Sequence, residues 1–122
     1  MDSAAGKAVL VVDDEQNFLA LLNWLLTSRG YAVQTASNAE EALQAIEAKA
    51  FDLALVDIRM GPVDGLALLD ELKSRLPGLR VVIMTAYPSV NAIKQSFAKG
   101  AAAFLTKPVN LPELLNTLQG LA

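Results

Sequence analysis

The sequence contains no cysteine and no histidine. Together these absences exclude thiol nucleophiles, disulfides, imidazole bases and ordinary zinc sites. Any metal the chain holds must then be a hard cation on oxygen ligands. No apolar run approaches the roughly eighteen residues that read as a bilayer span, and Met1-Asp2-Ser3-Ala4-Ala5-Gly6-Lys7 has neither the basic head nor the apolar centre of a secretion signal. A cytosolic protein with no membrane partner is the expectation. There is no basic stripe, and with a formal net charge of −3 and a pI near 4.8 the chain lacks the means to displace counterions from a nucleic acid. Direct nucleic-acid binding is not expected.

What is present is aliphatic. At 53% hydrophobic and 19% charged, the 122 residues argue against disorder and for one α/β domain, 1–122, with a flexible lead over residues 1–6. Leu53-Ala54-Leu55-Val56-Asp57 is the central stretch: it is too continuously apolar for a half-exposed strand, and it ends on a carboxylate. That pattern fits a strand buried on both faces of a parallel sheet. Ala8 to Val12 repeats it and ends on Asp13-Asp14-Glu15. No glycine-rich turn follows, which counts against a dinucleotide site. Arg80 to Met84 leads to Thr85, Ala102 to Leu105 leads to Thr106-Lys107-Pro108, and Tyr31 to Thr35 makes a short strand.

Helical patterns fill the intervals. The first runs from Glu15 to Arg29 and stops at Gly30, a C′ residue by type. At about 100° per residue, Phe18, Leu21, Leu22 and Leu25 form one stripe. Leu19, Trp24 and Leu26 widen it past what one core contact needs, so Leu19 and Trp24 are either a docking face for a partner or ordinary packing at the stripe's edges. Ser37-Asn38-Ala39-Glu40 fits a capping box opening a helix to about Lys49. Further helices run from near Asp64 to Arg75, through Val90, Ile93 and Phe97 to Gly100, and from Asn110 through Leu111, Leu114, Leu115 and Leu118.

Five strands alternating with five helices predict a doubly wound five-stranded parallel sheet, flavodoxin-like, with strand order 2-1-3-4-5. In that order the first and third strands meet at the topological switch point, which brings Asp13, Asp14 and Asp57 together with Thr85 and Lys107 on the same rim. Converging carboxylates need a compensating cation; with oxygen ligands alone, Mg²⁺ fits. A metal, an ammonium group and a hydroxyl around one carboxylate form a place for a phosphoryl group, with Asp57 as nucleophile. Taken singly, each residue has a plainer reading: Asp14 as a helix cap, Thr85 as an ordinary strand end, Lys107 as a solvated lysine, Phe104 as core.

VVDDE, LALVDIRM, VVIMTAY and FLTKPV, in this order, resemble the motifs of response-regulator receiver domains over essentially the whole chain. The resemblance implies a CheY-like member of a two-component system. Asp13, Asp14, Asp57 and the main-chain carbonyl of Arg59 would hold Mg²⁺, and Asp57 would take a phosphoryl group from a sensor histidine kinase or a histidine phosphotransfer protein. Lys107 and Thr85 would meet the phosphoryl oxygens, and Phe104 stands where the family has its switch aromatic. The resemblance also implies a cis Lys107-Pro108 bond and an output surface, or homodimer surface, made by the fourth helix, fifth strand and fifth helix. Such a chain modifies and demodifies itself instead of turning over substrate. The family's usual Pro-Gly after the acceptor is here Gly61-Pro62, which biases Gly61 toward extended geometry. Two other classes compete: a docking module independent of phosphorylation, and a phosphatase or mutase with an aspartate nucleophile, for which no insertion long enough to form a cap is seen.

Overall fold

The computed structural model describes residues 6–59 and 65–121. Residues 1–5 of the expected flexible lead and the Gly61-Pro62 loop lie outside the described residues; Gly6 is described, its N–H bonded to the Gly30 carbonyl at 3.1 Å. The elements alternate as expected: β1 (Ala8–Val12), α1 (Gln16–Ser28), β2 (Ala32–Ala36), α2 (Ala39–Ala48), β3 (Leu53–Asp57), α3 (Gly65–Arg75), β4 (Arg80–Thr85), α4 (Val90–Ala98), β5 (Ala103–Thr106) and α5 (Leu111–Leu121). All four strand pairings are parallel, in the order β2-β1-β3-β4-β5. Among the described residues no helix is long and apolar enough to cross a membrane.

The continuous apolar runs are explained by what covers them. Alternate residues of each central strand face opposite sides, so Leu10, Val12, Ala54, Val56, Val81 and Ile83 pack under α2, α3 and the edge of α4. Val9, Val11, Leu53, Leu55, Val82 and Met84 pack under α1 and α5. With both faces covered, no position in β3 can be polar until the strand ends.

Helix α1 shows how far periodicity can mislead. Leu19, Leu22, Leu25 and Leu26 are the buried residues, whereas Leu21, read into the stripe, is 42% exposed. Of the two readings of Leu19, docking residue beside Trp24 or ordinary packing, the docking one is corrected: Leu19 is 4% exposed and belongs to the core under α1. Apolar residues occupy so much of this helix that a stripe can be drawn at two phases, and contact with the sheet selects one. Burying four leucines at about 2 kcal/mol each anchors α1 firmly.

Helix α4 is the opposite case. Val90 and Phe97 are exposed, Ile93 is half-buried, and the one fully buried side chain is Ser96, whose hydroxyl donates to the Ala92 carbonyl at 2.7 Å. The cap of α2 falls one residue later than the sequence pattern gave. Asn38 Oδ1 accepts from Glu41 N–H at 2.8 Å, and Glu41 reaches back to Ser37 N at 2.7 Å and Ser37 Oγ at 2.8 Å. Those bonds, the backbone one first, hold the Glu41 carboxyl below its usual pKa. Gly30, at φ 96°, takes the left-handed conformation that closes α1.

Candidate functional site

Each strand that carries a functional side chain delivers it at its carboxyl end. Asp13 follows β1, Asp57 ends β3, Thr85 ends β4 and Lys107 follows β5. Strands β1 and β3 are neighbours, with Val12 beside Val56 in register, so Asp13 and Asp57 emerge side by side. Asp13, Asp14 and Asp57 each place a carboxylate oxygen within 4.8 Å of the others, the one such acidic group found among the described residues. Asp13 is fully buried, Asp57 is 6% exposed and Asp14 is open to solvent.

Lys107 crosses this cluster. Its ammonium bonds to Asp13 Oδ2 and lies 3.2 Å from Asp57 Oδ2. A backbone hydrogen bond from Lys107 N–H to the Thr85 carbonyl, 2.7 Å, ties the β5 end to β4, and Lys107-Pro108 is cis. The remaining oxygens are partly engaged: Asp57 Oδ1 accepts from Arg59 N–H at 3.0 Å and Asp13 Oδ1 from Glu15 N–H at 2.9 Å. Thus Asp13 braces the entry to α1 as well as facing the cluster. Every polar side-chain atom buried among the described residues has a partner.

The electrostatics follow from burial. Loss of water raises the Asp57 carboxyl above the usual aspartate range; the Arg59 N–H and the Lys107 charge pull it back, and Asp13 pushes it up again, for a net rise. Burial alone would lower Lys107, but its hydrogen bond and attraction to Asp13, then those to Asp57, outweigh this and raise it. Three carboxylates face one ammonium, so negative charge remains uncompensated. An oxygen-only donor set of this kind fits a hard divalent cation such as Mg²⁺.

Thr85 is fully buried and its hydroxyl accepts from Tyr87 N–H at 3.1 Å. It continues the row Val81, Ile83 on the α2–α3–α4 face, where Ile83 pairs in register with Phe104 and Thr85 with Thr106. Phe104 is half-buried and packs against that core. Arg59 extends its guanidinium over the Tyr87 ring, 4.8 Å from its centroid. Trp24 stands apart on the outer flank of α1, 68% exposed.

Two features of the site escaped sequence reasoning. Gly65, first residue of α3, donates to the Ile58 carbonyl at 2.8 Å and passes so close to β3 that an added Cβ would sit 2.3 Å from the Asp57 carbonyl oxygen. Phe18 lays its ring against the Lys107 ammonium, 4.5 Å from the centroid. Its half-burial in an apolar stripe gave no hint of that contact.

A cluster of carboxylates around one lysine, at the switch point of a parallel α/β sheet, points to a class of protein, and the chain's relatives settle which. The model of the response regulator receiver domain matches residues 9–119, and the chain belongs to that family, the receivers of two-component systems. It is 42% identical over 110 residues to the transcriptional regulatory protein ZraR of Klebsiella oxytoca, covering 90% of this chain and 25% of that one. GlrR of Escherichia coli, also a transcriptional regulatory protein, is 37% identical over 110 residues, again 90% and 25%. The chain therefore spans about a quarter of the length of the curated relatives it matches. Among solved structures, a CheY-like receiver domain protein from Methanospirillum hungatei superposes with a TM-score of 0.91 at 34% identity, covering 95% of this chain and 93% of that one. TrrA from Thermotoga maritima, solved in complex with Mg²⁺-BeF, gives 0.85 at 34% identity, 95% and 99%.

Proposed function

We propose that Asp57 accepts a phosphoryl group from the phosphohistidine of a sensor histidine kinase or a histidine phosphotransfer protein, in a Mg²⁺-dependent step, and that the α4–β5–α5 surface changes to control an output. The observation that carries this reading is the convergence of Asp13, Asp14 and Asp57 within 4.8 Å, with the Lys107 ammonium on two of them. An Asp57 oxygen attacks phosphorus as the bond to the donor nitrogen breaks; the electron pair leaves with the imidazole, which takes a proton from solvent. Held by Asp13, Asp14, Asp57 and the Arg59 carbonyl, Mg²⁺ would supply charge neutralisation for the incoming oxygens. Lys107, already 3.2 Å from the acceptor, meets the added negative charge. The Thr85 hydroxyl, now accepting from Tyr87, turns to donate to a phosphoryl oxygen. Phe104, on the same face one strand over, follows into the space so vacated. The states are shifted because the phosphoryl group contacts them unequally. The relatives' names support transcription as the output, and the exposed Tyr87, Val90 and Phe97 support a homodimer or effector surface there.

Calorimetry with Mg²⁺, then with beryllofluoride added, tests the site, and sedimentation of the same samples tests the surface. Mg²⁺ should bind, beryllofluoride should bind only in its presence, and the doubly loaded sample should sediment differently. Because Asp57 holds its proton to a higher pH than an ordinary aspartate, apparent Mg²⁺ affinity should fall on acidification before pH reaches about 4. Mg²⁺ affinity flat across that range, or no binding at millimolar Mg²⁺, would favour the phosphorylation-independent docking module.

The donor's approach is proposed along α1, with Trp24 and, in place of the buried Leu19, Leu21. Leu21 and Phe18 line a groove of about 450 Å³ that runs to Pro108, Val109 and Leu111 beside Lys107. Trp24→Ala should slow phosphoryl transfer from a phosphorylated partner about tenfold, the loss of one aromatic anchor, and leave labelling by a small phosphodonor unchanged. Equal slowing with both donors would place the effect in the site and not on the docking face.

A further inference from the structure

Lys107 is braced from two directions, and one of them is not acidic. Its ammonium meets Asp13 and Asp57, and the ring of Phe18 lies 4.5 Å from the same nitrogen. Phe18 sits in the first turn of α1, three residues beyond Glu15, whose N–H is fixed by the Asp13 carboxylate at 2.9 Å. One acid therefore orients both the start of α1 and the lysine that the helix covers. Lys107 is only 17% exposed on its side chain, so the ring contact is made where water competes weakly. A lysine stem is flexible, with four rotatable carbons, and its charge is a point without the fixed geometry of a guanidinium. Something must keep that charge at the acceptor instead of in solvent.

We propose that Phe18 is a positioning residue for Lys107: the face of its ring confines the ammonium over the acidic cluster, ready for the phosphoryl group. This rests on the phosphoacceptor reading above. Leucine at 18 preserves apolar volume but has no ring face, and tyrosine keeps the face while its hydroxyl extends toward the groove. If the ring positions the charge, Phe18→Leu should slow labelling of Asp57 by a small phosphodonor about fivefold, the size a partly desolvated cation–ring contact carries, and Phe18→Tyr should restore it. If Phe18 only fills space, Leu and Tyr variants of equal thermal midpoint would label at the parent rate.

A second readout does not depend on phosphorylation. In the unphosphorylated parent, the Lys107 methylene protons nearest the nitrogen should be shifted upfield by the ring current. Phe18→Leu should abolish that shift and Phe18→Tyr keep it. Loss of the shift with slowed labelling supports the assignment. An ordinary lysine resonance in the parent, or a Leu variant labelled as fast as the parent, overturns it and leaves the acceptor assignment intact. A parent chain that takes no label at Asp57, although its Mg²⁺ site fills, overturns the acceptor reading and this role with it.

Discussion

Asp57→Asn is expected to abolish acid-stable, base-labile labelling of the chain by a small phosphodonor in Mg²⁺. The substitution preserves the size of the side chain and its place at the end of β3, where the neighbours are fully buried aliphatics, so the sheet has no reason to shift. What it removes is the anionic oxygen proposed to attack phosphorus. Stability should move the other way. Burial raises the Asp57 carboxyl, so the folded state holds that proton more tightly than the unfolded chain. The ionised group thus costs stability; the cost is absent below the unfolded pKa, about 4, and complete above the folded one. Near neutral pH the asparagine variant should unfold at a temperature no lower than the parent's, and the difference should shrink as pH falls toward that value. Lys107 would still hold Asp13. Label persisting in the variant would remove Asp57 from the acceptor role. A variant that fails to take label and also unfolds well below the parent would show that the carboxylate is held by more than the groups named here.

The second large effect is expected at Gly65→Ala. On helix propensity alone alanine should stabilise α3 by up to about 1 kcal/mol. The close approach to β3 reverses that sign: the new methyl would lie 2.3 Å from the Asp57 carbonyl oxygen and 2.6 Å from the Ile58 Cα. Both are backbone atoms inside a ladder that also binds the Ile58 N–H to Met84 at 2.9 Å, so neither can yield by a side-chain rotation. A loss on the order of 3 kcal/mol is expected, as for other overpacked interiors, measured by urea unfolding. Labelling should fall as well, since relief of the overlap displaces Asp57, the proposed acceptor. A variant more stable than the parent would mean that α3 can slide away from β3 freely.

The sheet was legible in the sequence for a physical reason. Strands covered on both faces leave no room for polar residues, and each apolar run therefore ends where the chemistry begins, at Asp13, Asp57, Thr85 or Lys107. Parallel order then gathers those ends without any knowledge of side-chain contacts. Helix phases were harder. Leu21 and Leu19 exchanged roles because α1 is apolar around most of its circumference, and Val90 and Phe97 in α4 face solvent while Ser96 is buried, its hydroxyl satisfied within the helix. Asn38 and Glu41, not Ser37 and Glu40, cap α2, a slip of one residue that two adjacent cap-forming side chains invite. Ring contacts between distant segments were not legible: nothing in the spacing of Phe18 and Lys107, or of Arg59 and Tyr87, marks them as neighbours. The cis Lys107-Pro108 bond followed from family resemblance, not from the residues themselves.

The shallow seat of α4 bears on how a message could leave the acidic cluster. Four leucines hold α1 down, whereas α4 offers the sheet little beyond Ala92 and Ser96. Segments with few buried apolar contacts open locally at low free energy while the rest of a domain stays folded. The covering that lifts most cheaply is thus the one that starts just beyond Thr85, and a small push at that strand end needs to overcome only a weak adhesion there, not the cohesion of either core.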